Sequence, residues 1–491
     1  MTAAALMATA MMAFGQETVR LTLEGAVDLA RENNPIFLTT QNDEAASDWA
    51  MREAVSNLFI PTVTAFGQLG YRAPGVSRTG TITTGGVDQG SQYTSFYQLG
   101  ASYTFDGNTL FGVSSAKADK SAAHARTEAA EFTMESLITL QYMTALRARD
   151  QVEVARRQVD RSIEDFEIAQ ARVDAQAAII TDAKQAQVQL GRDSVALLQS
   201  ESALRVGTFR LLEAVGSNIE DQVELVSEFN VFEPTWTNTA LISRALESHP
   251  QLKAFVASEG ARRANLRQAR GAYFPSITFA GQWRGFTQEI QNGEFLINNA
   301  ERGSLGAIAD CQRLNQISSG LTSPLSGFPQ DCSGFTLSDA GRETILASNN
   351  VFPFNFNEQP FQAQLSVNFP LFNGFGRERA ASQAANAYED AVHFRRGEEL
   401  RLRTEVTSAL DALGTAYNVV QVEERNRVVA GEQLELARAR YSLGADNFLV
   451  LLDAERTMAD AERAYLDGLY TFHVQLANLE NAVGQRLRPE A

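Results

Sequence analysis

Four segments of the chain alternate apolar and polar residues with a period of two. They lie at residues 61–71, 97–105, 275–285 and 361–369. Because side chains two positions apart share a face of a β-strand, each segment predicts a strand with one apolar face and one polar face. Lengths of 9–11 residues suit a strand that crosses a bilayer, although a half-buried soluble sheet shows the same alternation.

Two long proline-free segments predict a second kind of structure. No proline occurs in residues 75–233 or 371–488, which are rich in good helix formers. Apolar residues between Val406 and Val420 step alternately by four and three, as in coiled coils. This narrow stripe favours helices packed side by side in a shell, with one face in solvent. The prediction is two long helices, each followed by a shorter return helix, at approximately 113–171, 183–215, 377–442 and 449–483.

The second half of the chain repeats the first. Residues 33–35 recur at 248–250 with an offset of 215, and residues 214–216 recur at 482–484 with an offset of 268. Between the two strands of the second half the offset rises by 53, which marks an insertion. Matched segments in constant order on both sides of one insertion indicate an internal duplication.

The duplication and the N-terminal residues divide the chain into five parts. Residues 3–14 are small and apolar, and they precede a small-x-small pattern that is typical of an export signal. The predicted parts are a signal-peptide remnant (1–15), a first repeat (16–216), an inter-repeat equatorial segment (217–238), a second repeat (239–484) with an extracellular loop insertion at about 287–360, and a C-terminal tail (485–491).

Composition narrows the possible functions. The 491 residues carry 42 Lys and Arg against 59 Asp and Glu, a net charge of −17. This balance argues against a nucleic-acid partner and against docking onto anionic lipid. Histidine and cysteine are few and scattered, and the sequence lacks the common phosphate-binding, hydrolase and metal-site motifs. We therefore expect a protein that is not an enzyme and needs no metal or other cofactor.

Four strands cannot close a barrel, and lipid does not tolerate an open sheet edge. If these strands cross a membrane, several chains must share one barrel, and three copies would supply twelve strands.

The excess of acidic residues leaves two interpretations open. Carboxylates lining a pore would favour cations, whereas carboxylates on the outside of a helical shell would only keep that surface in solution.

Five short motifs carry a resemblance to a known family. They are residues 21–26, 180–182, 368–374, 440–444 and 451–455. With the duplication, they make the chain resemble the TolC-type outer-membrane efflux proteins over residues 18–488. The resemblance implies a mixed α+β membrane protein: a homotrimer with a 12-stranded β-barrel, four strands per chain, in the outer membrane of a Gram-negative bacterium. A long α-helical barrel would continue it through the periplasm.

The same resemblance implies a function and partners. The trimer would be the passive exit duct of a tripartite efflux pump or of a type I secretion system. It would dock onto a periplasmic adaptor (membrane fusion) protein and an inner-membrane pump or ABC exporter. Two alternatives stay open at this point: a trimeric coiled-coil surface adhesin and a structural rod in the periplasm.

The resemblance also implies roles for residues at the helix-hairpin ends. Asp182 matches a carboxylate that bonds to the tyrosine of the other hairpin, here Tyr441, and Asp453 matches an acidic ring that narrows the pore. Asp446 stands where the family has a basic residue, so a loosely closed gate is expected. The implied adaptor-docking residues at the two tips are Arg172, Ala177, Ala178, Arg440, Leu443, Gly444 and Ala445.

Two further expectations concern a turn and a possible disulfide. The first hairpin has Gln176 where a glycine is expected, which predicts a less sharp turn than the second hairpin makes. Cys311 and Cys332 are the only cysteines, 21 residues apart inside the insertion. In an exported protein they are expected to form a disulfide on the outer surface, unless they remain unpaired in a flexible loop. The insertion itself is predicted to be an extracellular cap or plug.

Overall fold

The computed structural model describes residues 19–75, 78–79, 82–83, 90–217, 223–227 and 229–488. The predicted signal remnant, residues 1–15, lies outside the described residues. The helices in the described part are α1 Leu23–Asn33, α2 Pro35–Phe59, α3 Gly107–Asp174, α4 Ile180–Val215, α5 Asn238–Ser248, α6 Pro250–Gly271, α7 Gly293–Ser319, α8 Asp339–Asn349, α9 Gly376–Ser442 and α10 Phe448–Val483. The strands there are β1 Val19–Leu21, β2 Thr62–Arg72, β3 Arg78–Thr79, β4 Ile82–Thr83, β5 Gln92–Phe105, β6 Val223–Leu225, β7 Ser276–Ile290, β8 Asn357–Glu358 and β9 Gln362–Asn368.

The internal repeat is visible in the helix boundaries. Helices α1 and α5 begin and end 215 residues apart, and α4 and α10 do so 268 residues apart. The long helices α3 and α9 have 68 and 67 residues, and both return helices have 36. Among the described residues, no helix has both the length and the apolar character that crossing a bilayer requires.

The repeated motifs meet one another in space. Helices α4 and α10 end at Gly216 and Gly484, with φ of +83° and +78°. A Cβ at Gly216 would lie 2.3 Å from the carbonyl oxygen of Asn33, and one at Gly484 would lie 2.8 Å from Cα of His249. Both sites need glycine for the left-handed conformation and for the close approach. The paired motifs therefore mark the same packing contact in each repeat.

The chain forms two compact units. The first unit contains residues up to Ala54, Phe111–Arg270 and the residues from Phe375 onward. The second contains Val55–Leu110 and Gly271–Gly374.

The second unit is built on an antiparallel sheet of β2, β5, β7 and β9, in that order. The short strand β8 pairs with the same edge of β7 as β9 does, but further along β7. All four predicted strands are present, but β5 and β7 reach 14 and 15 residues, longer than expected. Strand β7 continues to Ile290, so the first residues of the predicted insertion belong to a strand. Periodicity missed these extensions because Ser95 and Thr287 place hydroxyl groups on the otherwise apolar face.

The segment 351–356 explains why those hydroxyl groups are tolerated. It crosses the apolar face of β5 and β7, where the Ser95 hydroxyl donates to the Pro353 carbonyl oxygen at 2.6 Å and lies 2.7 Å from the Thr287 hydroxyl. The rings of Phe352 and Phe356 pack on Tyr93 and Tyr97, with centroids 5.1 and 4.7 Å apart. This end of the sheet is thus covered by the chain itself.

The inserted segment between β7 and β8 contains α7, a short 3₁₀ helix at Cys332–Phe335, and α8. A disulfide joins Cys311 of α7 to Cys332, with Cα atoms 5.8 Å apart. At the end of α8, the Asn349 side chain accepts from the Ile290 backbone at 3.0 Å and donates to its carbonyl at 2.8 Å. The Asn349 contacts fasten the end of α8 to the end of β7, where the segment begins.

In the first unit, the inter-repeat segment forms a parallel two-stranded sheet of β1 and β6. The buried hydroxyl of Tyr142 on α3 donates to the carbonyl of Leu21 at 2.9 Å and so ties β1 to the long helix. The described residues of the tail, 485–488, form no strand. Instead, the Glu480 carboxylate on α10 accepts from the backbone of Leu487 and Arg488 at 2.9 and 3.1 Å.

Candidate functional site at the helix-hairpin ends

Two tight turns join the long helices to their return helices. In the first, the Ala177 amide donates to the Arg172 carbonyl at 2.8 Å; in the second, the Ala445 amide donates to the Arg440 carbonyl, also at 2.8 Å. The two turns therefore close with the same hydrogen bond at equivalent positions of the two repeats.

Gln176 occupies the position of Gly444 and adopts the same left-handed conformation. The φ angles are +54° for Gln176 and +79° for Gly444. The prediction of a less sharp first turn was therefore wrong. The two turns differ only in free energy, because a residue with a side chain costs about 1 kcal/mol or more relative to glycine in the left-handed region.

The start of each return helix shows a second difference between the repeats. The Asn447 side chain accepts from the backbone of Val450 at 3.2 Å and caps α10. Ile179 precedes α4 and provides no such bond. At 67% exposure Ile179 is an apolar residue in solvent, so the first tip offers an apolar surface where the second has a polar cap.

Tyr441 is the centre of the packing between the hairpins. Its side chain is 1% exposed and lies in a cluster with Ala169, Ala183 and Phe448. The Arg172 guanidinium stacks 4.4 Å from the centre of the tyrosine ring and also donates to the Tyr441 carbonyl. Arg172 therefore fixes the second hairpin from the first.

The predicted hydrogen bond between Asp182 and Tyr441 does not form within the chain. In the described structure, the Tyr441 hydroxyl is buried without a hydrogen-bond partner. Burial raises the pKa of Tyr441, and the nearby Asp182 carboxylate raises it further. The Asp182 carboxylate thus disfavours the ionised form of Tyr441 without bonding to its hydroxyl, and Arg172 stacks on the ring from the first hairpin. Their role in a gate stays a prediction.

Asp446 has a partner that sequence reasoning did not assign. Its carboxylate accepts from Nε and Nη2 of Arg440 at 2.9 and 3.2 Å. We expected Asp446 to add a negative charge near Asp182, where the family has a basic residue, and so to loosen the closed state. The two-point contact with Arg440 compensates that charge inside the turn, so this reason for a loose gate is removed.

Asp453 lies on the exposed side of α10. Its neighbours Leu451 and Ala454 are buried against the other hairpin, so the carboxylate points away from the packed core. That orientation is compatible with an acidic ring in an assembly, and the ring stays a prediction.

The remaining residues of the two tips lie at the surface. Ala177, Leu443, Gly444 and Ala445 are exposed, and Ala178 is half-buried.

A buried cluster of charges joins both hairpins, and sequence reasoning missed it. Arg438 of α9 lies 3.2 Å from Asp165 of α3 and 2.8 Å from Glu455 of α10. Arg161 of α3 lies 3.6 Å from Glu455 and 2.7 Å from Glu462. The Glu455 side chain is only 4% exposed. We call these five residues the charge cluster.

Protonation of the charge cluster is shifted by its surroundings. Burial raises the pKa of Asp165 and of Glu455, and the Asp165 carboxylate adds to the shift of Glu455, which reaches about 7. One oxygen of each carboxylate is buried without a hydrogen-bond partner in the described structure, so a proton shared by the pair would supply the missing donor. The signal in the sequence was Glu455 itself, which interrupts the apolar stripe of Leu451, Ala454 and Met458.

Comparison with known proteins bears on this architecture. The family model described as "Outer membrane efflux protein" matches residues 336–485. Outer membrane protein OprJ of Pseudomonas aeruginosa is 34% identical over 122 residues, which span 24% of this chain and 25% of OprJ. Outer membrane protein TolC of Vibrio cholerae is 20% identical over 459 residues, 93% of this chain and 89% of that protein. The chain is thus similar to the outer membrane efflux proteins, most directly over residues 336–485.

The fold is also similar to that of a solved outer membrane channel. The crystal structure of the Campylobacter jejuni CmeC outer membrane channel matches with a TM-score of 0.67 at 15% identity, covering 95% of this chain and 87% of that one. The resemblance inferred from the motifs is confirmed, and the relatives that match the chain are outer-membrane proteins. Proteins of this family are passive channels, not enzymes. The adhesin and the rod gain no support from these relatives.

Proposed function

We propose that three copies of this efflux protein close one 12-stranded barrel and one helical tunnel, and that the trimer is the exit duct of a tripartite efflux pump or type I secretion system. The observation that carries the proposal is the sheet of the second unit. In the described structure β2 pairs only with β5, and β9 lies beside no other strand than β7 and so leaves a free edge. Free edges of this kind require a partner strand in lipid.

The exposed apolar face of the sheet supports a position in lipid. Val63, Leu69, Leu365 and Val367 on β2 and β9 are 65–74% exposed. A face of this size would be a liability in water, whereas lipid contact removes it from water. The opposite face carries mainly glutamine, serine and threonine, which suits a water-filled lumen.

The hairpin ends support a docking role. Leu443 at the tip of the second hairpin is 85% exposed, and Ile180 and Leu449 nearby are 67% and 57% exposed. The turns themselves are rigid, because backbone hydrogen bonds, the Arg172 stack and the Arg440–Asp446 pair hold them. Rigid tips with exposed apolar residues suit a periplasmic adaptor as partner, with an inner-membrane pump behind it.

Two adjacent substitutions on β9 test the barrel. Leu365→Lys places a charge on the apolar face, at a cost of about 2–4 kcal/mol at mid-membrane, whereas Ser366→Lys places it on the polar face. We expect the first variant to lose assembly in the outer membrane and the second to retain it. Sedimentation in detergent should give three chains per particle for the native protein, and planar bilayers should show channels. A monodisperse monomer that is stable in water without detergent would refute the proposal.

A cross-linking experiment tests the docking role. A photoreactive residue at Leu443 is compared with one at Leu305 in α7, which is 64% exposed and lies in the insertion. We expect Leu443 alone to capture a periplasmic adaptor, identified by mass spectrometry. Capture of the same adaptor from both positions would contradict docking at the tips.

A further inference from the structure

The polar face of the sheet has a composition unlike the rest of the protein. Cross-strand pairing places the even-numbered residues of all four main strands on this face. Hydrogen bonds confirm the alignment, as between Gln282 and Gln362 at 3.0 Å and between Thr104 and Thr278 at 3.0 Å. The face is therefore a continuous surface. Because the pairing register shows which residues lie on it, its charged residues can be identified from the sequence of the strands.

Its charges have the opposite sign to the net charge of the chain. Among the even-numbered residues of β2, β5, β7 and β9 the charged residues are Arg72 and Arg284, and there is no Asp or Glu. The chain as a whole carries −17. The acidic surplus thus lies elsewhere, and the four strands present a positive surface on this face.

Three phenylalanines lie on the same polar face as Arg284, on its own strand β7 and on the next two strands, β5 and β2. Gln98 of β5 pairs with Phe66 on one side and with Arg284 on the other, and Phe96 pairs with Phe286. The Phe66 and Phe96 rings are 6.1 Å apart, and Phe66 and Phe286 are 55% and 42% exposed. A group of exposed aromatic rings on an otherwise polar face is typical of a surface that binds a ligand.

The Arg284 side chain has no ion-pair partner among the described residues, and the strand pairing sets glutamine and phenylalanine around it. The other face of the same strand is different. There Trp283 stacks on Phe361 with ring centres 4.5 Å apart. Rings pack in pairs on both faces, but on the polar face Phe66 and Phe286 remain exposed on strands that also carry, or lie one strand away from, an arginine without an ion-pair partner in the described structure.

We propose that Arg284 with Phe66, Phe96 and Phe286 forms a binding surface on the lumen wall for amphipathic anions that carry a planar aromatic group. The inference rests on the proposed function, since it takes the polar face as the lumen. A guanidinium pairs with a carboxylate or sulfonate, and neighbouring rings accept a planar apolar group by stacking. Three copies would place three such surfaces around one lumen. This section of the pore would then prefer anions, whereas the net charge of the chain suggests a preference for cations.

Single-channel block in planar bilayers tests the proposal with three probes. The probes are 2-naphthalenesulfonate, methanesulfonate and naphthylmethylammonium, which separate the effect of the aromatic group from that of the charge. Only 2-naphthalenesulfonate should block the wild-type channel strongly. Arg284→Gln should weaken that block and reduce the anion-to-cation permeability ratio at low salt, where screening is small. Phe286→Leu should weaken the block by about twofold to tenfold, the range of an aromatic contact, and leave the ion preference unchanged.

Two control variants keep the interpretation specific. Phe279→Leu removes a ring from the opposite face of the same strand, and Arg302→Gln removes an exposed charge from α7; neither should change block or selectivity. Equal block by the two naphthalene probes, or an unchanged block in Arg284→Gln, would overturn the inference while open channels still supported the proposed duct. Failure to form trimeric channels at all would overturn the proposed function. The binding surface would then be tested separately, by measuring whether wild-type protein in nanodiscs binds 2-naphthalenesulfonate more tightly than Arg284→Gln does.

Discussion

The substitution Glu455→Gln tests the charge cluster that joins the two hairpins. A glutamine keeps the size of the side chain and its capacity for hydrogen bonds, but it carries no charge at any pH. Glu455 faces Arg161 and Asp165 of α3 and Arg438 of α9, while Asp193 of α4 accepts from Ser162 nearby. Charged groups of α3 and α9 thus both contact this carboxylate of α10, and the substitution removes the charge that they share.

The sign of the pH effect follows from the direction of the pKa shift. Folding raises the pKa of Glu455 from 4.5 to about 7. The folded protein then binds more protons than the unfolded chain between these values, and its stability falls as pH rises through this window. A shift of this size corresponds to about 3 kcal/mol per chain as an upper limit, because one pKa unit is about 1.4 kcal/mol. The stabilisation is fully present below the lower value and is lost above the higher one.

The measurement is hydrogen exchange in peptides covering residues 158–166 and 450–459, corrected for the intrinsic exchange rate. Wild type should open more easily at pH 8 than at pH 5. At pH 8, Glu455→Gln should be more protected than wild type by about 1–3 kcal/mol, and at pH 5 the two should agree. Glu462→Gln, which contacts the same Arg161, should keep the wild-type dependence on pH. Equal protection of wild type at both pH values would refute the shared proton.

Three further predictions concern the hairpins and the insertion. Gln176→Gly should stabilise the first turn by about 1 kcal/mol, and Gly444→Gln should destabilise the second by at least as much, measured by local hydrogen exchange; the reverse order would contradict the strain assigned to Gln176. Tyr441→Phe should leave stability unchanged or raise it by up to about 1 kcal/mol, because the hydroxyl has no partner within the chain. A higher single-channel conductance in this variant would show that the hydroxyl bonds between protomers and supports a gate. Replacing Cys311 and Cys332 by serine should destabilise the insertion by about 3 kcal/mol, seen as faster proteolysis within α7, because the disulfide closes a loop of 21 residues.

Much of the fold followed from the sequence because its patterns are periodic. The strands were predicted from alternation, the helices from the absence of proline, and the repeat from matched offsets. The failures came where tertiary contacts override a local rule. Ser95 lies on an apolar strand face because another segment buries it with a hydrogen bond. Gln176 takes a conformation that favours glycine because the flanking helices fix the turn.

The candidate site was less predictable for a related reason. A family resemblance gives the position of a residue but not its partner. Asp446 was expected to act as an added negative charge in the gate, yet Arg440, six residues earlier, binds it across the turn. The charge cluster brings together Asp165 and Glu455, which are 290 residues apart in the sequence. Such a contact depends on the register between two hairpins, and no local pattern contains that information.

The small sheet of β1 and β6 has a consequence for how the protein is made. Its strands pair in parallel although Arg20 and Glu224 are 204 residues apart. Synthesis at about 5–20 residues per second places roughly 10–40 s between the two strands. β1 therefore has no strand partner while the whole first repeat is produced, and the first repeat cannot finish folding until residues 223–225 have been synthesised. A truncated product that ends before residue 223 would expose this unpaired strand and the helix surface that covers it, which would make it a target for periplasmic proteases.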